Sequence, residues 1–197
     1  MPLPAGYRTL WAGEFENQER AQRQLSIVVP ISILAIFFIL FVSFGNAIDS
    51  LLVLLNVPFA LIGGIAALLL TGVNFSISAG VGFIALFGVA TQDGVILVNK
   101  FRQNLRDGLP LVPAIKEGAK TRLRPVMMTA LMASLGLLPA ALSHGIGSET
   151  QKPLAIVVIG GLITATILSL LILPTVYEWV YSSREERKRR AKQPGAA

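Results

Sequence analysis

Five apolar runs, each long enough to cross a bilayer as a helix, constrain this chain more than any other feature. They cover Leu25–Phe44, Leu51–Leu70, Ile77–Val98, Pro125–Leu142 and Leu154–Val180; crossing the hydrocarbon takes roughly 20 helical residues. Lipid offers the backbone no hydrogen-bond partner, so each run reads as a helix that satisfies itself. Pro30, Pro58 and the pair Gly63-Gly64 interrupt the pattern, which is tolerable where neighbouring helices pack against them. The chain is 53% hydrophobic and only 14% charged, with a mean hydropathy of +0.66, whereas soluble domains carry about 25% charged residues. A soluble domain of 197 residues could not bury that surplus. The fold class expected is an all-α integral membrane protein, a bundle of five transmembrane helices over residues 25–181. The first run is no cleaved signal peptide: it is too long, starts only after a polar stretch of about 25 residues, and lacks a small-residue cleavage site.

The basic residues orient such a bundle. Seven lie between Lys100 and Arg124 and six between Arg184 and Lys192, thirteen of the seventeen in the chain. With five spans, those two segments fall on one side, and the positive-inside rule makes it the cytoplasmic side. The N-terminus and the Gly145–Pro153 loop then face outward. Tyr177, Trp179 and Tyr181 fit an interfacial aromatic belt at the inner surface. The tail SSREERKRRAK, in the basic segment 182–197, is better explained by topology and anionic headgroups than by nucleic acid; the expected non-protein partner is membrane lipid.

Outside the spans, residues 1–24 have too little apolar area to fold alone and read as the trailing edge of a larger extracytoplasmic domain. Within them Tyr7–Trp11 alternates like a short strand, and Glu14–Leu25 is a polar helical stretch. The short link TGVNFS (71–76) makes the second and third spans antiparallel neighbours. In the segment 109–121, Leu111, Val112, Ile115 and Ala119 recur at helical spacing, offset from Lys116 and Lys120. That pattern predicts a short amphipathic helix on the inner leaflet. The closing QPGAA reads as disordered.

The third span holds the chemistry. Asp93 lies five residues past the midpoint of its run, ~7 Å at 1.5 Å per residue. An acid near the bilayer centre costs roughly 2.5–3.5 kcal/mol on insertion scales. Lys100, seven residues on, is about 10 Å along the axis and out of reach. The acid must therefore be protonated, paired with another helix, or set in a wet cavity. At 100° per residue, Gly88, Gln92 and Asn99 share one stripe and Gly82, Leu86, Val89 and Asp93 an adjacent one. Gln92 and Asp93 point about 100° apart, so only a helix buried on two sides would satisfy both. The candidate proton-relay site is Asp93 with Thr91, Gln92 and Asn99; the competing reading is that Asp93 is a hydrogen-bonded packing residue.

Enzymatic and metal chemistry find little support. Aspartyl intramembrane proteolysis needs two carboxylates, and the only other one near a span is Asp49, in the short loop after the first. Neither GxSxG nor HExxH occurs. Cysteine is absent, His144 beside Gly145 and Glu149 reads as a solvated loop residue, and Met127, Met128 and Met132 read as lipid-facing or packing residues. No cofactor and no metal-ligand set is expected.

Five stretches resemble the heavy-metal branch, of the cobalt–zinc–cadmium type, of the resistance–nodulation–division (RND) efflux transporters: GYRTLWAGEFENQERA (6–21), NVPFALIGGIAALLLTG (56–72), SAGVGFIALFGVA (78–90), TRLRPVMMTALMASLGLLPAAL (121–142) and GSETQKPLAIVVIGG (147–161). The resemblance implies that the five spans are the last five of twelve, following a periplasmic porter domain, with 109–121 as the cytoplasmic connecting helix. It implies a homotrimeric proton antiporter of the bacterial inner membrane that expels metal cations through a periplasmic adaptor and an outer-membrane channel. It also implies that an N-terminal half, with seven more spans, is needed for transport, so that this chain is a fragment, a truncated frame or one piece of a split protein. Two departures stand out: copper-type relatives carry an acid at the position of Gln92 and a lysine at that of Val126. The alternatives are a non-transporting remnant or assembly partner, and an RND pump for organic substrates, against which the 78–90 motif argues.

Overall fold

Residues 14–145 and 147–192 are described by a computed structural model, in which six helices follow one another through short turns. They are α1 (Glu14–Phe44), α2 (Ala47–Leu54), α3 (Asn56–Thr71), α4 (Ile77–Arg106), α5 (Leu111–Leu142) and α6 (Ser148–Lys192), with no strand among the described residues. Tyr7–Trp11 and QPGAA lie outside the described residues. Among the described residues, five segments are long and apolar enough to cross a membrane: Gln22–Phe44, Ala47–Thr71, Ile77–Arg106, Leu111–Leu142 and Ser148–Ser183. The second is α2 and α3 together. Pro58 has no N–H to give the carbonyl of Leu54, and the helix breaks at Leu55.

Local sequence sets the turns. Gly45 takes a left-handed φ of +63° and its N–H returns to the Phe41 carbonyl at 2.9 Å, ending α1. Asn46 then caps α2 by accepting from the Ile48 N–H at 3.1 Å. Gly72, at φ +66°, closes α3, and Ser76 caps α4 through the Ala79 N–H at 3.3 Å.

Helix α6 is the hub, packed against α3, α4 and α5, whereas among the described helices α1 touches only α2 and α4. Helices in lipid gain little from hydrophobic burial against each other, so close van der Waals fit and small residues hold them. At Gly63 a Cβ would strike Thr164 and the Gly160 carbonyl (2.6 Å), and at Gly161 it would lie 2.8 Å from the Ala60 carbonyl. The α3–α6 contact exists because those side chains are absent. Two apolar clusters fill the interior, one around Phe83, Leu86, Phe87 and Val157, the other around Val53, Leu97, Phe101, Leu173 and Tyr177. Outward faces stay apolar: Leu70 is 88% exposed and Met132 70%, as suits a lipid-facing surface.

Three expectations need correction. Asp49 lies in the first turn of α2, not in a loop, and it is buried. The 109–121 segment is not a separate amphipathic helix; from Leu111 it is the opening of α5, which runs on through Pro125. Its small face, Ala114 and Gly118, packs on the extension of α4 instead of on lipid: the Asn104 side-chain amide donates to the Ala114 carbonyl at 2.8 Å, and Gly118 lies against the Phe101 ring. Of the aromatic belt only Trp179 is fully on the outside, at 70% exposure; Tyr177 is buried, stacked on Tyr181 with ring centroids 4.4 Å apart.

Candidate functional site

Asp93 sits on the face of α4 that meets α6. It is 5% exposed, and its flanking stripe (Gly82, Leu86) is buried with it. Thr166 of α6, also 5% exposed, bears on the carboxylate, and no charged side chain among the described residues acts on it. Asn56, the first residue of α3 and 1% exposed, presses its amide against Gly94, the residue after Asp93. None of the three is satisfied: Oδ2 of Asp93, Oγ1 of Thr166 and Nδ2 of Asn56 are buried without a hydrogen-bond partner among the described residues. An acceptor on α4, a hydroxyl beside it on α6, and a donor on α3 against the next residue of α4 are thus each unbonded in the interior. Orphaned buried groups are uncommon in native structures, and each calls for a physical reason.

The other residues singled out in the sequence go elsewhere. Thr91 is buried, but its hydroxyl donates to the Phe87 carbonyl of its own helix at 2.6 Å. Gln92 and Asn99 are exposed, on the stripe adjacent to that of Asp93. Gln92 lines a groove of about 290 Å³ with Gly88, Thr91, Val95 and the α1 residues Ile36, Ile39 and Leu40. Thr91 is therefore buried beside the α1 groove that Gln92 lines, away from Asp93, and Gln92 and Asn99 are exposed. Within this chain α4 is not buried on two sides, as satisfying both Gln92 and Asp93 requires. Lys100 bonds Gln103 at 3.3 Å and has no contact with Asp93.

A second polar cluster, at the end of the bundle where α1 meets α2, was missed in the sequence. Asp49 is 1% exposed. Its Oδ1 accepts from the Tyr181 hydroxyl at 2.6 Å, and its Oδ2 lies 3.4 Å from the Asn46 amide and 3.7 Å from Arg102 Nη1. Arg102 also donates to the Phe44 carbonyl at 3.0 Å, at the end of α1, and lies over the Phe44 ring. One carboxylate thereby ties α2 to α4 and α6. The only sequence signal was Asn46 three residues before Asp49 at the start of an apolar run, the pattern of a helix opening. Between this cluster and Asp93, Val53, Leu97 and Leu173 are essentially sealed, and the two polar sites are separate.

No group of three or more His, Cys, Asp or Glu among the described residues could hold a metal ion. His144 Nε2 lies 3.2 Å from Lys152 Nζ, on the rim of an open cavity at the other end of the bundle.

The described residues thus hold five helices long and apolar enough to cross a membrane, with an isolated acid in the interior of one. Residues 1–181 match the AcrB/AcrD/AcrF family, and the chain belongs to that family, in its heavy-metal efflux branch. It is 48% identical over 184 residues to the cobalt-zinc-cadmium resistance protein CzcA of Cupriavidus metallidurans, covering 93% of this chain and 17% of that protein. It is 37% identical to the cation efflux system protein CusA of Escherichia coli, covering 92% of this chain and 19% of that one. A crystal structure of a heavy metal efflux pump superposes with a TM-score of 0.79 at 44% identity, over 91% of this chain and 18% of the other. The chain thus spans less than a fifth of the length of these relatives.

Proposed function

We propose that this chain is the C-terminal membrane portion of a proton-driven heavy-metal cation efflux pump, supplying the last five of twelve transmembrane helices. Asp93 is the group that takes up and releases the proton. The observation that carries the reading is the Asp93 carboxylate, in the membrane interior with no cationic partner among the described residues and one oxygen unbonded. A permanently ionised acid there would be costly, whereas one that gains and loses a proton can favour two arrangements of the helices around it in turn. Gln92 and Asn99, polar side chains on an otherwise apolar exterior, belong to the face that meets the N-terminal half of the transporter.

The pump is a homotrimer in the bacterial inner membrane and works with a periplasmic adaptor and an outer-membrane channel. The N-terminus of this chain is periplasmic, residues 1–24 ending the porter domain, and the basic end, including 182–197, is cytoplasmic. Thirteen of seventeen basic residues on that side support the orientation.

The test is metal resistance in a bacterium deleted for its own heavy-metal pumps, carrying this chain with its N-terminal counterpart. The intact chain should restore growth on cobalt, zinc or cadmium salts, and Asp93→Asn should abolish it at equal membrane abundance. Equal growth with both would remove Asp93 from the relay, and no growth with either would make the chain a remnant.

A further inference from the structure

The unsatisfied atoms on Asp93, on Thr166 beside it and on Asn56 against the adjoining Gly94 are chemically complementary. The carboxylate oxygen can only accept when ionised, the Asn56 Nδ2 can only donate, and the Thr166 hydroxyl can do either. They come from three separate helices, and each residue is more than nine-tenths buried. A protonated carboxyl is neutral and needs little from its surroundings. An ionised one in the same place needs charge-assisted hydrogen bonds to replace water. No charged side chain among the described residues bears on it. The charges of the packed elements lie away from it: Lys100 on α4 and Asp49 on α2 are each seven residues from Asp93 and Asn56, about 10 Å along their axes. Tyr177 is eleven residues from Thr166 on α6, and α5 keeps its charges between Lys116 and Arg124, while α3 has none.

We infer that Thr166 and Asn56 are the positioning residues that receive the ionised form of Asp93, donating to its carboxylate when the proton leaves and standing unbonded when it is present. The two are otherwise unexplained: a β-branched threonine and a buried amide in a helix interface gain nothing from lipid or from an apolar neighbour. Gly94 is what admits Asn56, since a Cβ there would collide with the Asn56 amide and approach Val53 Cγ1 to 3.0 Å. This deepens the proton reading of Asp93 but requires only that Asp93 changes protonation, not that transport depends on it.

The experiment uses the full 197-residue chain in nanodiscs of phosphatidylethanolamine and phosphatidylglycerol. The infrared carbonyl band of the protonated Asp93 carboxyl, assigned by its loss in D93N, is followed as pH rises. Thr166→Val, which keeps the shape and removes the hydroxyl, should hold the proton about tenfold more tightly than wild type, the loss of one hydrogen bond to a charged group. Thr166→Ser should titrate like wild type. Asn56→Ala should act in the same direction as Thr166→Val, and the double variant should exceed either. Helical circular dichroism confirms that each variant is folded. Titrations of Thr166→Val and Asn56→Ala within twofold of wild type overturn the inference. So does a carboxyl band in the wild type that never changes with pH. If Asp93→Asn leaves resistance intact while Thr166→Val still displaces the titration, the relay falls and this assignment stands.

Discussion

The Asp49 cluster should behave as one coupled unit, and a double-mutant cycle between Asp49 and Tyr181 measures it. The Tyr181 hydroxyl donates to a carboxylate 1% exposed at 2.6 Å, and a hydrogen bond to a charged group contributes about 1.5–3 kcal/mol. The Arg102 pair, at 3.7 Å with Arg102 26% exposed, is worth less than ~1 kcal/mol, and the 3.4 Å approach of Asn46 adds little. Asp49→Ala should therefore destabilise by about 2–4 kcal/mol, and Tyr181→Phe by about 1.5–3 kcal/mol. The pair should show a coupling energy above ~1 kcal/mol. Reversible unfolding of the chain in mixed lipid–detergent micelles, read by helical circular dichroism, gives all four corners of the cycle. Additive effects, with coupling under about 0.5 kcal/mol, would mean that Asp49 reaches water rather than Tyr181, and the sealed cluster would be refuted.

Two further outcomes follow from the packing. Gly63→Ala should destabilise by ~1–3 kcal/mol, because its Cβ meets Thr164 and the Gly160 carbonyl; Gly88→Ala, with nothing within 4 Å of its Cβ, should be neutral or slightly stabilising in the same unfolding assay. Asn104→Ala removes the 2.8 Å bond to the Ala114 carbonyl, and amide exchange over 111–118 should accelerate about tenfold; unchanged exchange would mean that the opening of α5 is held by something other than α4.

The spans were legible because twenty-residue apolar runs admit few other structures. Their ends were not, since hydropathy stops at the first charge whereas a helix stops where its backbone bonds fail. Asp49 is a case in point: its charge delays the start of the second apolar run to Leu51, though Asn46 caps the helix ahead of it. The opening of α5 was read from a true amphipathic pattern, but its apolar side found Phe101 and Asn104 instead of lipid. Tyr177 shows the same limit, because an aromatic near a span end looks identical whether it faces headgroups or a neighbouring helix. On α4 the helical wheel carried further: the stripe of Gly82, Leu86 and Asp93 is buried, and that of Gly88, Gln92 and Asn99 is exposed. What the wheel could not supply was which residues of α3 and α6 meet α4 at Asp93 and Gly94. That depends on how three helices rotate against one another, and Asn56 and Thr166 carry no mark of it in sequence.

The most direct test of the central claim is proton flux in liposomes holding this chain assembled with its N-terminal counterpart, with an imposed gradient of zinc or cobalt ions. Wild-type protein should move protons in exchange for the cation, and Asp93→Asn should stop both fluxes while leaving assembly intact. Undiminished cation-coupled proton movement through Asp93→Asn would contradict the account and return Asp93 to a packing role.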